Sequence, residues 1–272
     1  MLGNERTELR TQGYTVFRDA LDPDVVGSLR TDLRDFFEDG SFRYAFDGKI
    51  KNDIHQLAPP AILMVLEDTK LIGAIKSAIN GDLRFGHEVG AYANMHSGWH
   101  KDLHDVDFFS DPAKASEFGV YKLGLYLQDH LGLTRDDFAL AVKPGTHLRA
   151  DHEGIEKKIF VRAGDAIVFD CRISHRGQTD DDWPRSRFAS PINRIKGRMS
   201  PALAYKIDSV KRRLLGRRDR LALFMVFGRE NALTTEYVDA FHRIHCGGVC
   251  PKDPANLVST ARDALDRLGI RY

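Results

Sequence analysis

Two short polar stretches of the sequence carry residue types that could bind a metal ion. In Trp99–Asp102, His100 and Asp102 stand two positions apart, and Ser174–Arg176 supplies His175 further along the chain. Side chains two apart on an extended segment leave the same face, so one ion could take both. Two histidines and one carboxylate on one face of an octahedron leave positions on a non-haem Fe(II) open for a co-substrate and O2. An isolated H-x-D pattern is weak evidence, so the surrounding elements decide its meaning.

Strand-like segments stand where they could position these ligands. A Gly-Asp turn at 164–165 precedes the apolar, β-branched run 166–170. This pattern predicts a hairpin turn and then a buried strand, with His175 positioned just beyond the end of that strand. Earlier, another strand-like run leads through a polar loop to the turn Pro144–His147. From Leu83 onward the pattern is that of strands, so we expect a sheet to carry both ligand stretches.

The order of these motifs resembles the phytanoyl-CoA dioxygenase family of Fe(II)/2-oxoglutarate-dependent oxygenases. The shared features span residues 83–228: an H-x-D pattern, a strand ending in Gln-Asp, a Pro-Gly-Thr-His turn, Gly-Asp-x-x-x-Phe-Asp and His-Arg-Gly. The resemblance implies a mainly β fold with flanking helices, a double-stranded β-helix that forms a jelly-roll, cupin-like barrel. It also implies that His100, Asp102 and His175 bind Fe(II), with 2-oxoglutarate and O2 as co-substrates.

The resemblance further implies the class of reaction. Enzymes of this family convert 2-oxoglutarate to succinate and CO2 while they oxidise an unactivated C–H bond of a second substrate. Hydroxylation is the usual result, and oxidative cyclisation or desaturation are variants of it. In the family an acid at the position of Asp102 separates hydroxylases from related halogenases, so halogenation is disfavoured. We expect a small metabolite or natural-product intermediate as substrate, because no recognition module is appended.

A 2-oxoglutarate enzyme also needs a cation for the far carboxylate of the co-substrate, and arginine can meet a carboxylate with two parallel hydrogen bonds. In the family this arginine begins the strand after the distal histidine. Arg187 stands at the usual distance, but a poor strand follows it. Arg220 stands at the head of Leu221–Gly228, a convincing strand. We therefore assign the role to Arg220, with Asn94 as a second co-substrate contact and Arg187 as the competitor.

Helix signals precede the strands. Asp22 and Pro23 are typical of a helix N-cap and first helical position, and apolar residues then repeat at helical spacing. Two more apolar-periodic segments, 59–67 and 69–79, follow a loop-like stretch at 41–56. We expect these three helices to pack on one outer face of the sheet.

The length of 272 residues suits one such unit, since barrels with helical flanks often reach this size as one domain. We expect a single oxygenase domain. It would comprise a mostly helical buttress at 1–82, a barrel core at 83–228 and C-terminal helices at 229–272. Within the core, residues 188–218 are predicted to form a basic helical insertion at the barrel mouth.

The insertion and its flanks are strongly basic. Residues 185–220 contain twelve lysines and arginines against two aspartates, a net charge of +10. Leu203, Ile207, Val210 and Leu214 repeat at helical spacing, which predicts a helix with one apolar stripe and a basic back. Three interpretations stay open: a lid that attracts an anionic substrate, a solvated helix, or a helix lying in a membrane interface.

A second group of possible metal ligands lies near the C-terminus. Its members are His242, His245, Cys246 and Cys250. Their types suit zinc, but the C-x3-C spacing is irregular and no second half follows. A glycine-rich turn with reduced thiols is the alternative interpretation, and it fits a chain with three cysteines in total.

Composition excludes several other classes. A net charge of +1 argues against binding of nucleic acid by the molecule as a whole. No stretch approaches the apolar length of a membrane span, and Met1–Arg6 lacks the apolar core of a signal peptide, so we expect a cytoplasmic protein without stable membrane insertion. The sequence leaves the oligomeric state open.

Two other functions remain compatible with the same ligand residues. A cupin-like barrel holding Zn(II) or Mn(II) could act as a hydrolase or isomerase by Lewis acid chemistry. A nonenzymatic ligand-binding barrel with a vestigial site is the other alternative. Succinate release from 2-oxoglutarate in air would separate the oxygenase from both.

Overall fold

Two antiparallel sheets form a barrel, and helices cover the outer face of the larger sheet. The computed structural model of the protein describes residues 4–38, 40, 42–45, 48–52, 60–95, 97–111, 114, 119–133, 137–177, 199–214, 219–245 and 259–271. Its helices are α1 (Asn4–Gln12), α2 (Pro23–Glu38), α3 (Pro60–Glu67), α4 (Thr69–Ile79), α5 (Pro201–Leu214), α6 (Ala232–His245) and α7 (Ser259–Arg267). Within the described ranges, none of these helices has the length and apolar character needed to cross a membrane.

Within the part of the chain that the structure describes, ten strands make up the two sheets. They are β1 (Tyr14–Phe17), β2 (Arg43–Ala45), β3 (Gly48–Lys51), β4 (Leu83–Ala93), β5 (Val120–Tyr126), β6 (Leu140–Lys143), β7 (Lys157–Ile159), β8 (Ala166–Asp170), β9 (Ser174–Arg176) and β10 (Leu221–Arg229). The large sheet has seven strands in the order β1-β8-β5-β10-β4-β3-β2, and the small sheet has the order β7-β6-β9. The predicted jelly-roll barrel with flanking helices is confirmed.

Strand alternation divides the core into two layers. On β5, Leu123 and Leu125 face outward and join the largest apolar cluster with buried residues of α2, α3 and α4. Tyr126, on the opposite face of the same strand, packs inside the barrel with Leu140 and Val142 of β6. The prediction that three helices pack on one outer face is therefore correct, because successive strand residues point to opposite sides.

Local signals set the helix ends where the sequence predicted them. α2 begins at Pro23, whose ring fixes a helical φ and whose missing N–H is not needed in the first turn. At the start of α4 the Asp68 carboxylate accepts a hydrogen bond from the Leu71 amide at 2.8 Å. The same helix ends at Asn80, which adopts a left-handed conformation with φ of 57°.

One predicted loop is wrong. The stretch 41–56 contains β2 and β3, of three and four residues. β3 pairs with β4 through Lys49↔Ala93 and Ile50↔Tyr92, at the edge of the large sheet. Strands this short carry too little periodicity to be detected alone, and their hydrogen bonds to a distant strand hold them in place.

The helix predicted around Leu203–Leu214 forms as α5, while its role as an insertion at the barrel mouth stays a prediction. Leu203, Val210 and Leu214 are exposed, whereas Ala204 and Asp208 are buried. The helix packs near β2, where the Tyr205 and Tyr44 rings lie 5.5 Å apart. The small Ala204 side chain lets this face approach the sheet, so the apolar stripe points away from it.

The outer helical layer should govern stability without touching the interior of the barrel. Leu33 of α2 is fully buried, so Leu33→Ala should lower the free energy of unfolding by about 2–5 kcal/mol through lost burial and the cavity left behind. The exposed neighbour Arg34 provides the matched control, since Arg34→Ala should change it by about 0.5 kcal/mol or less. Urea denaturation followed by circular dichroism measures both, and equal losses would contradict the layered core.

Candidate functional site

The side chains of His100, Asp102 and His175 converge inside the barrel. One ligand atom from each lies within 4.8 Å of the other two, and within the described ranges this is the one such group of three metal-ligating side chains. His100 Nε2 is 3.4 Å from Asp102 Oδ1, and His175 Nε2 is 3.5 Å from Asp102 Oδ2. His100 sits at the cavity rim, while the other two side chains are largely buried.

Backbone hydrogen bonds bring the two ligand stretches together. The amide of His100 donates to the carbonyl of His175 at 3.0 Å, and the amide of His175 donates back to the carbonyl of His100 at 2.9 Å. The Asp102 amide donates to the Cys171 carbonyl at 2.9 Å. The H-x-D segment is thus hydrogen-bonded to β9 and to the residue that follows β8, although it forms no long strand of its own.

Both histidine rings are held in the tautomer that a metal requires. His100 Nδ1 lies 2.8 Å from the Gly98 carbonyl, and His175 Nδ1 lies 3.0 Å from the Ile173 carbonyl. A carbonyl oxygen can only accept, so each Nδ1 carries a proton, and the neutral form of each ring has its lone pair at Nε2. A backbone acceptor behind a ligand histidine is the usual way in which proteins fix the ring orientation at a metal.

The charges of the site also suit a metal. Burial, with a smaller effect of His100, lowers the pKa of His175 to about 3, which keeps that imidazole neutral. Burial opposes ionisation of Asp102, but the Lys122 ammonium outweighs it and holds the pKa of Asp102 well below its usual value. Burial also opposes protonation of His100, yet the Asp102 carboxylate raises its pKa. Metal ligands must be neutral imidazoles and ionised carboxylates.

A buried lysine next to the cluster was missed by the sequence analysis. Lys122 Nζ lies 2.9 Å from Asp102 Oδ2 and 3.1 Å from Glu88 Oε1. Burial lowers the pKa of Lys122, but Asp102 and then Glu88 more than compensate, so its pKa lies above the usual value. The available signal was a single charge within the otherwise uncharged strand Val120–Tyr126.

Arg220 and Asn94 lie together at the wall of the same cavity. The side-chain Oδ1 of Asn94 accepts a hydrogen bond from the backbone amide of Arg220 at 2.9 Å. The backbone amide of Asn94 donates to the backbone carbonyl of Arg220 at 2.8 Å. The Arg220 guanidinium donates to the carbonyls of Phe138 and Ala139, each at 2.9 Å. These contacts orient the arginine, while the Asn94 side chain fixes the head of β10.

The cavity has a volume of about 340 Å³, and its lining includes the three candidate ligands, Lys122 and Arg220. Tyr92 and Tyr126 pack edge-to-face on Phe224, with ring centroids 5.2 and 5.9 Å away. Gly124 makes room for them, since a Cβ there would lie 2.8 Å from the Phe224 ring. Gly124 thus allows aromatic side chains to line the cavity.

Three other polar residues of the barrel core have different surroundings. Asp170 does not orient a ligand imidazole, because its carboxylate binds the Arg172 guanidinium at 3.0 and 2.8 Å. His104 lines the cavity and packs edge-on against Tyr237. His147 Nε2 bonds the Arg10 carbonyl at 3.0 Å. None of these side chains belongs to the metal-ligand group.

Several predicted residues fall where the structure gives no description. Arg187, Cys246 and Cys250 lie outside the described residues, and so do the side chains of His242 and His245. The choice between Arg187 and Arg220 therefore stays a prediction, and zinc binding and a glycine-rich turn with reduced thiols both stay open for the C-terminal group.

A jelly-roll barrel with two histidines and one carboxylate converging in its cavity is an architecture suited to non-haem iron and an organic co-substrate. The sequence profile of the family described as phytanoyl-CoA dioxygenase (PhyH) matches residues 9–181, which is more than half of the chain. The chain therefore belongs to this family. Membership makes it an Fe(II)/2-oxoglutarate-dependent enzyme, as the resemblance implied.

Solved structures share the fold at low sequence identity. The epimerase SnoN from nogalamycin biosynthesis is 15% identical with a TM-score of 0.58, and the alignment covers 86% of this chain and 88% of SnoN. The carbocyclase SnoK from the same biosynthesis is 15% identical with a TM-score of 0.58, covering 93% and 92%. HygX from Streptomyces hygroscopicus, crystallised with nickel and 2-oxoglutarate, is 15% identical with a TM-score of 0.55, covering 84% and 87%. No curated protein sequence matches the chain.

The convergence of His100, Asp102 and His175 predicts that both histidines are required for metal binding. His100→Ala or His175→Ala should weaken Mn(II) binding by more than about 100-fold, beyond the loss typical of residues that only support a ligand. Isothermal titration calorimetry measures the affinity, and circular dichroism checks that the barrel persists. His104→Ala is the matched control, since it removes a histidine of the same cavity and should leave the affinity unchanged. Metal bound at the wild-type affinity in either ligand variant would remove that histidine from the site.

Proposed function

We propose that this protein is a non-haem oxygenase that uses Fe(II) and 2-oxoglutarate to oxidise a small molecule, with release of succinate and CO2. The observation that carries the proposal is the convergence of His100, Asp102 and His175 within 4.8 Å, with both Nδ1 protons donated to backbone carbonyls. Two imidazoles and one carboxylate fit Fe(II) and leave positions open for two further ligands. The bound iron and co-substrate supply the oxidising chemistry.

In this proposal, the protein holds and orients the reactants. His100, Asp102 and His175 hold the metal on one side of the cavity. Arg220 binds the far carboxylate of 2-oxoglutarate, because its guanidinium is already oriented by two backbone carbonyls. The aromatic walls around Phe224 exclude water from the reacting centre. Asn94 acts indirectly, since its side chain fixes the backbone of Arg220.

We propose hydroxylation of a metabolite or natural-product intermediate as the reaction, with oxidative cyclisation or desaturation as variants. Structures with the same fold include SnoN with Fe3+, alpha ketoglutarate and nogalamycin RO, and HygX with nickel, 2-oxoglutarate and hygromycin B. These ligands of other proteins support a small-molecule substrate here. They leave the reaction open, because an epimerase and a carbocyclase are both among these structures.

Succinate release tests the proposal against its alternatives. The purified protein, loaded anaerobically with Fe(II) and 2-oxoglutarate and then exposed to air with ascorbate, should release succinate. Asp102→Ala is the matched control and should release none. Turnover that depends on Zn(II) or Mn(II) and continues without oxygen would favour a hydrolase or isomerase. Failure to bind both metal and 2-oxoglutarate would favour a nonenzymatic barrel.

Arg220 should control the affinity for 2-oxoglutarate. A hydrogen-bonded contact to a charged group is worth about 1.5–3 kcal/mol, so Arg220→Ala should raise the KM for 2-oxoglutarate by about 10- to 100-fold. Arg229→Ala, at the other end of β10, should leave this KM unchanged. Arg187→Ala tests the competitor from the sequence. A defect in the Arg187 variant with none in the Arg220 variant would transfer the assignment.

The basic helix α5 leads us to propose an anionic prime substrate. Support comes from the +10 charge of residues 185–220 alone, and the described cavity lining contains no residue of α5. Neutralising Lys211, Arg212 and Arg213 together should weaken stimulation of succinate release by anionic compounds and spare their uncharged counterparts. The loss should be largest at low salt, because salt screens exposed charges over about 10 Å at 0.1 M. Equal effects on both members of each pair would exclude steering by charge.

A further inference from the structure

The ammonium group of Lys122 is buried beside the candidate metal ligands. Its side chain is 10% exposed, and Nζ lies 2.9 Å from Asp102 Oδ2 and 3.1 Å from Glu88 Oε1. Burying a charged amine is unfavourable unless it is paired. One ammonium between two carboxylates, one of them a candidate ligand, therefore calls for a reason beyond packing.

The position of Lys122 follows from the sheet. β5 lies between β8 and β10, and Lys122 is opposite Phe169 on one side and Val226 on the other. Its neighbour Leu123 points outward to the helices, so Lys122 points into the barrel, like Tyr126. An ion pair with Glu88 alone would neutralise the lysine. The additional contact with Asp102 instead links the sheet wall to the metal-ligand group.

We propose that Lys122 is a positioning residue for Asp102: its ammonium holds Oδ2, so that the carboxylate presents Oδ1 on the side of His100 and serves the metal through one oxygen. This inference rests on the proposed metal site. A carboxylate that binds through one oxygen leaves one more coordination position open than one that binds through both. The partners of ligand carboxylates commonly supply this kind of orientation.

Charge and positioning predict opposite effects on metal affinity, which makes the proposal testable. At a pH at which Asp102 is ionised in every variant, a lysine that acted only through its charge would repel a divalent cation, so its removal would tighten metal binding. A lysine that positions Asp102 would, on removal, leave the carboxylate free to rotate and weaken metal binding. The sign of the change separates the two roles.

The experiment compares Lys122→Met/Glu88→Gln with Glu88→Gln. The single variant keeps the ion pair with Asp102, and the double variant removes it while leaving no unpaired Glu88 carboxylate. Titration calorimetry with Mn(II) should show binding about 10- to 100-fold weaker in the double variant. Lys122→Arg, which keeps a charge and donors, should bind Mn(II) more tightly than the double variant. The visible absorption of Co(II)-loaded protein should also differ between the single and double variants, because it reports ligand geometry.

Each outcome has a definite meaning. Mn(II) bound equally or more tightly by the double variant than by Glu88→Gln would overturn the positioning role. Wild-type protein that fails to bind Mn(II) would instead overturn the proposed metal site itself. If the methionine variant does not fold, Lys122→Gln/Glu88→Gln makes the same comparison, since glutamine is neutral and one bond shorter than lysine.

Discussion

The reciprocal pair of backbone hydrogen bonds between His100 and His175 is the interaction on which the site depends. These bonds join a segment after β4 to the short strand β9, across a large separation in sequence. Together with the hydrogen bond from the Asp102 amide to the Cys171 carbonyl, they fix Asp102 relative to the distal histidine. Because the main chain makes this link, the three side chains are free to face the cavity rather than to hold the fold together.

Burial of charge is the second constraint. Asp102, Glu88 and Lys122 form a group of alternating sign within a mostly apolar barrel. Each charge alone would be costly there, and pairing with opposite charges offsets that cost. Within this group of three, two carboxylates face one ammonium, and the resulting negative charge next to the candidate ligands favours cation binding.

The two faces of the large sheet carry separate tasks. The outward face, with Leu123 and Leu125, packs against helices and supplies most of the apolar burial. The inward face lines a cavity instead of a filled core, and Gly124 lets the aromatic rings approach closely. Substitutions in the helical layer therefore act on stability, whereas substitutions on the inner face change the shape and charge of the site.

The barrel class followed from the resemblance of the motif order to a known family. The sequence by itself determined the residue types and spacing of the candidate ligands and the main helices. Those features depend on local signals, such as a two-residue alternation or a proline at a helix start, that act within a few residues. The tertiary structure alone decided that Lys122 and Glu88 meet Asp102, that β2 and β3 form at the sheet edge, and that α5 buries Ala204 rather than its apolar stripe. These features depend on which distant strands become neighbours, and pairing between strands brings together side chains whose separation in sequence carries no periodic signal.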